Sequence, residues 1–85
     1  MEQTNREYWV VFSYDNCNYE GTPLYICKTK ESAFEAFHKA ISESEFFRDN
    51  DNFEIDDVRL IADSDPNGDG DYYEYIKVVK MPVFK

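Results

Sequence analysis

Residues 7–14 alternate Tyr8, Val10, Phe12 and Tyr14 with Trp9, Val11 and Ser13, so a strand built from them carries apolar side chains on both faces. That pattern belongs to a strand inside a sheet, with neighbours on either side. Eighty-five residues bound what else can be built: one domain with a single modest core, and too little chain for a deep substrate cleft beside it. An aromatic share of 18%, with seven Tyr and seven Phe, supplies the buried area that lets a small sheet domain stand without disulfide or metal staples.

The remaining elements follow from periodicity and punctuation. Residues 15–21 are rich in turn formers, and Thr22-Pro-Leu-Tyr-Ile-Cys-Lys28 reads as a second strand, with Pro23 acceptable near its start or on an edge. Thr29 caps a helix over about 30–44, where Ala33, Phe34, Phe37, Ala40 and Ile41 recur at spacings of three and four. Glu35 and Lys39 are placed for an i, i+4 pair on its exposed side, and Phe46-Phe47 follows and tucks under the helix. Residues 49–52 form a turn. Phe53 and Ile55 then point inward, and Val58, Leu60 and Ala62 resume the alternation one residue out of phase, which predicts a bulge or bend near Asp56-Asp57. A last strand spans 72–79 and the chain leaves the sheet at Pro82. The expected architecture is α+β in the order β-β-α-β-β: a four-stranded, mainly antiparallel sheet with one helix packed across one face. Residues 1–85 form a single domain with 1–6 flexible.

Net charge is −9, and it is regional. Residues 43–74 hold twelve carboxylates against Arg48 and Arg59, a net of −10, and the rest of the chain sums to +1. Direct binding to nucleic acid or to an anionic membrane is disfavoured. No run approaches the ~20 apolar residues of a membrane span, and the polar start, Met-Glu-Gln-Thr-Asn-Arg-Glu, has no apolar stretch of signal-peptide type behind it. Cys17 and Cys27 lack ligand-pair spacing, and a hairpin turning near Asn18 sets Cys27 across from Trp9, away from Cys17. The expectation is a reduced, cytoplasmic protein.

The sharpest chemical signal is Asp63-Ser-Asp-Pro-Asn-Gly-Asp-Gly-Asp-Tyr-Tyr-Glu74, which fits the twelve-residue calcium loop of an EF-hand. Its candidate ligands are Asp63, Asp65, Asn67, Asp71 and Glu74, with Gly68 at the sharp turn. Both flanks, however, read as strands where an EF-hand needs helices, Pro66 and Gly70 fill unusual positions, and there is no second hand to pair with. Asp-Pro-Asn-Gly is equally a strong turn sequence, so an acidic hairpin loop with no cofactor is the leading expectation and calcium the alternative. His38, the single histidine, borders the apolar stripe and reads as structural. Adjacent Asp56 and Asp57 point to opposite faces of a strand and make a poor acid/base dyad. Cys17 lies in an acidic neighbourhood, which disfavours a thiolate. No catalytic residue is nominated.

Through Tyr8-Trp-Val-Val-Phe-Ser-Tyr-Asp15, Thr29-Lys-Glu-Ser-Ala33 and Phe47-Arg-Asp-Asn-Asp-Asn-Phe-Glu-Ile-Asp-Asp-Val-Arg-Leu60, the chain resembles a family of small bacterial and phage domains of unknown function. The resemblance covers about residues 8–60 and leaves out the 63–74 loop. It implies a strand pair, a helix, a Phe-Arg-Asp corner and a further strand, together with a prokaryotic or phage origin. Phage-borne inhibitors of nucleic-acid-targeting defence systems are often small, acidic and non-enzymatic, and this chain is similar to them in size and charge. The functional expectation is therefore a non-enzymatic module that presents an anionic, aromatic surface to a basic groove, as on a nuclease or CRISPR-type effector, in competition with nucleic acid. Its candidate contact residues are Asp49, Asp51, Asp56, Asp57, Asp63, Asp65, Asp69, Asp71, Tyr72 and Tyr73, with Phe46, Phe47 and Tyr75 as further aromatic anchors. Against this stands the plainer reading of a bacterial housekeeping interaction domain whose acidity serves solubility. Assembly as a monomer or as a homodimer through a strand edge is open.

Overall fold

Strand β1 (Glu7–Asp15) uses both of its edges, as its two apolar faces require. It pairs antiparallel with β2 (Asn18–Cys27) on one side and with β5 (Glu74–Pro82) on the other. The structure, a computed structural model, describes residues 7–68 and 72–82. Two further short strands, β3 (Glu54–Asp56) and β4 (Ile61–Asp63), extend the sheet beyond β5, giving the order β2-β1-β5-β4-β3 with every pairing antiparallel. The α+β class stands, with five strands where four were expected.

The extra strand comes from the phase slip at 56–57. A bent single strand was expected there, whereas the chain closes a tight hairpin in which Ile55 pairs with Ala62. The side-chain carboxylate of Asp56 accepts the backbone N–H groups of Val58 and Arg59, each at 3.0 Å, and the Leu60 N–H reaches the Asp56 carbonyl at 2.8 Å. Leu60 takes a left-handed φ of 58°, which costs an L-residue about 1–2 kcal/mol. Burial of its side chain in the core offsets that cost. Val58, expected to point inward, is instead 89% exposed at the tip.

Strand β2 starts earlier than expected, because only Asn16 and Cys17 are needed for the reversal. Register shifts on either side of Phe12-Ser13 absorb Leu24 and the segment around Gly21. Gly21 has φ 91°, and a Cβ there would lie 2.5 Å from the Tyr14 ring, so this position takes no side chain without moving Tyr14. Trp9 faces Cys27 in the register, as expected, and Cys17 sits at the other end of the hairpin. Both thiols are free; burial pushes that of Cys27 up.

Helix α1 (Lys30–Glu43) is capped by the Thr29 hydroxyl, which accepts the Ser32 N–H at 3.0 Å, and buries Ala33, Phe37, Ala40 and Ile41. Ser44 ends it in an extended conformation and caps α2 (Glu45–Asp49), a five-residue helix that buries Phe47. The one expected helix is thus α1 followed by a short second turn set at an angle. Lys39 pairs with Glu43 at 3.1 Å, not with Glu35. The core joins Phe37, Ala40, Ile41 and Phe47 to Val11, Leu60, Ala62 and Ile76 of the sheet. Each of the larger side chains there contributes about 1.5–3 kcal/mol by leaving water. Among the described residues, no helix is long and apolar enough to cross a membrane.

Candidate functional site

The register fixes which side chains share a face. Opposed residues in an antiparallel pair project to the same side, so Val11, Tyr25, Ile55, Ala62, Ile76 and Val78 form the side under the helices. The other side carries Tyr8, Val10, Phe12 and Tyr14 from β1, Tyr75, Lys77 and Val79 from β5, Ile61 and Asp63 from β4, and Glu54 and Asp56 from β3. Neither α1 nor α2 packs on it. Tyr14 lies 6.0 Å from Phe12 and 6.1 Å from Tyr75 between ring centroids, a continuous aromatic row across the sheet.

At the β3–β4 end of the sheet a shallow groove of about 620 Å³ is lined by Glu54, Asp56, Ile61, Asp63 and Tyr75 from this face, together with Arg59 and the edge residues Ile55 and Asp57. Glu54 and Asp63 are directly opposed in the ladder, a like-charge cross-strand pair that opposes folding. Among the described residues neither carboxylate has a salt bridge; Arg59 approaches Asp56, at 3.7 Å. Partial burial, and then the Asp63 carboxylate, raise the Tyr75 hydroxyl above its ordinary value, so Tyr75 stays a neutral donor and acceptor.

The expected contact residues are spread over the open sheet face, the α2 corner, the helix side, the turn after β4 and the core. Asp56 and Asp63 lie on the open sheet face. Asp49 and Asp51 sit exposed at the α2 corner, where Glu45, Phe46 and the 68%-exposed Tyr72 border a dent of about 190 Å³. Asp57 turns to the helix side and meets His38 Nε2 at 2.8 Å. His38 also packs against Phe34 and Phe37, with ring centroids at 4.7 and 5.2 Å. Tyr73 is half-buried, and Asp65 is half-buried in a turn. Phe47, expected as an anchor, belongs to the core. Asp69 and Asp71 lie outside the described residues, as do 1–6.

The calcium-loop ligands are not gathered where they are described. Asp63 is paired with Tyr75 in the register, so Glu74, the residue before Tyr75, projects to the opposite face. There the Glu74 carboxylate accepts hydrogen bonds from the Ser13 and Ser44 hydroxyls, beneath the α1–α2 junction. Its backbone N–H donates to the Ser64 hydroxyl at 2.8 Å, and its carbonyl accepts the Ser64 N–H at 3.0 Å. Asp63 accepts the Asp65 N–H at 2.9 Å, and the Gly68 N–H closes an Asp65-Pro66-Asn67-Gly68 turn on the Asp65 carbonyl at 3.0 Å. Glu74 thereby ties β5 to β1 and to the helix layer. Glu74→Ala should destabilise the fold by about 1–3 kcal/mol in the absence of any metal, since Ser44 is buried and loses its acceptor. Urea unfolding in a chelating buffer checks this.

A second pocket, of about 390 Å³, runs between β2 and the α1–α2 corner, with Leu24, Ala40 and Phe46 as walls and Glu43, Glu45 and Glu74 around it. The Tyr25 hydroxyl donates to Glu43 at 2.9 Å and, with Lys39, holds the Glu43 carboxyl below the usual glutamate range. That contribution is present above the ordinary glutamate value and fades as pH falls through the lowered one.

Sequence reasoning missed Glu54, Ile61, Tyr14 and Tyr75 as one surface, and Ser13, Ser44 and Ser64 as the partners of Glu74. The even-numbered aromatic positions of β1 carried a signal for the first set: with a single helix, only one sheet face can be covered. No family model, curated protein or solved structure matches this chain.

Proposed function

We propose that this protein is a non-enzymatic binding module that occupies a basic, nucleic-acid-binding surface on another protein. A phage-type inhibitor of a nuclease or CRISPR-type effector is the form that fits its size and charge. The observation that carries the proposal is the opposed Glu54–Asp63 pair beside Tyr75, an arrangement that costs the isolated protein stability and that a partner's cations offset on binding. Acidity kept for solubility is served by carboxylates anywhere on the surface and gives no reason to set like charges directly across a ladder. The Asp49–Asp51 corner with Tyr72 adds a second anionic patch that extends steering of a positively charged target.

The test is capture of a partner from host cells on immobilised protein, followed by competition. Duplex DNA or RNA is expected to displace the captured protein, and raised salt to release it. A partner that stays bound through both treatments contradicts the proposal. Calcium binding is the second reading, resting on the loop spacing; calorimetric heat on adding calcium that disappears in Asp63→Ala would favour it.

A further inference from the structure

We propose that the sheet face on which neither described helix packs is the docking surface, and that its occupant is a basic amphipathic segment of a partner protein laid across the strands. This rests on the binding role proposed above and adds to it the face used and the chemistry of the occupant. The face is graded along the strand order. Over β1 and β5 it is apolar and aromatic, with Val10 buried and Tyr8, Phe12, Tyr14, Tyr75 and Val79 half-buried along it. Over β4 and β3 it becomes anionic through Asp63, Glu54 and Asp56, with Ile61 between. At the β2 side Ile26 is 71% exposed, and Met81 at the end of β5 is 43% exposed. Lys77 is the single basic residue on the described strands of this face.

Charge complementarity selects the occupant. A nucleic acid or an anionic lipid surface meets three carboxylates and is repelled. A second copy brings a further net charge of −9 to a face that is already acidic. A segment with apolar or aromatic side chains flanked by Arg or Lys meets both halves at once: its apolar side covers the aromatic row, and its cations reach the groove where, among the described residues, Glu54 and Asp63 make no salt bridge. Planar guanidinium groups suit that groove further, because they stack on a Tyr75 ring while pairing with carboxylates.

Amide-shift mapping by NMR on the full chain tests this with two synthetic probes, a peptide alternating Arg with Leu and Trp, and polyarginine of equal charge. The expected result is saturable shifts at Phe12, Tyr14, Ile61 and Tyr75 with the mixed peptide, which binds about tenfold or more tighter than polyarginine because it buries apolar surface. Shifts confined to α2 and residues 49–51 overturn the docking face and leave the acidic binding role standing. No saturable shift at low salt overturns both. Open-face shifts that appear when the protein alone is concentrated make a second copy the occupant and overturn the proposal.

Discussion

Replacing Phe37 with alanine should destabilise the protein by about 3–5 kcal/mol, a large share of the stability that holds an 85-residue domain folded. Phe37 is fully buried and is the largest of the side chains sealed in the core. It stands on α1 where the helix meets Val11 of β1 and Ile76 of β5, so its loss opens a cavity between layers. The sheet cannot collapse into that space, because β1 and β5 are held by each other along nine paired residues. Phe34, three residues earlier, is 42% exposed and packs against His38; Phe34→Ala should cost far less. Urea unfolding of the two variants separates them, and equal costs would mean that α1 is rotated from the described orientation.

Glu54→Lys should act in opposite directions on stability and binding. It converts the opposed Glu54–Asp63 pair into an attractive one, for a gain of a few tenths of a kcal/mol up to about 1 kcal/mol. The same change places a cation in the groove proposed to receive a partner's cations and should weaken binding of the basic amphipathic peptide about tenfold or more. Glu54 is exposed and its carboxylate makes no hydrogen bond among the described residues, which makes it a cleaner position than Asp56 or Asp63, whose carboxylates also accept backbone N–H groups. Melting temperature and affinity measured on one preparation report both effects. A drop in stability, or an unchanged affinity, counts against an anionic surface kept for recognition.

Local signals made much of the fold legible. The two-faced pattern of β1, the Thr29 cap and the 33–41 stripe led directly to a hairpin with a helix laid on it. The hairpin at 56–61 was readable only as a phase slip, since the turn rests on Asp56 capping two N–H groups and on Leu60 accepting a left-handed φ, neither of which composition announces. The break between α1 and α2 was hidden for a similar reason: Ser44, with no Gly or Pro nearby, ends one helix and starts the next. The candidate surface was legible as charge but not as shape. Carboxylates contiguous in sequence are sorted by strand alternation onto opposite faces, so Asp56 and Asp57 part company and Glu74 is drawn beneath the helices by Ser13 and Ser44.

Calorimetric titration of the chain with the basic amphipathic peptide, at low and at raised salt and at several temperatures, bears most directly on the proposed role. Expected are an affinity that falls steeply with salt, from the anionic groove, together with a negative heat-capacity change, from the covered aromatic row. An affinity indifferent to salt, or no binding at low salt, would contradict it.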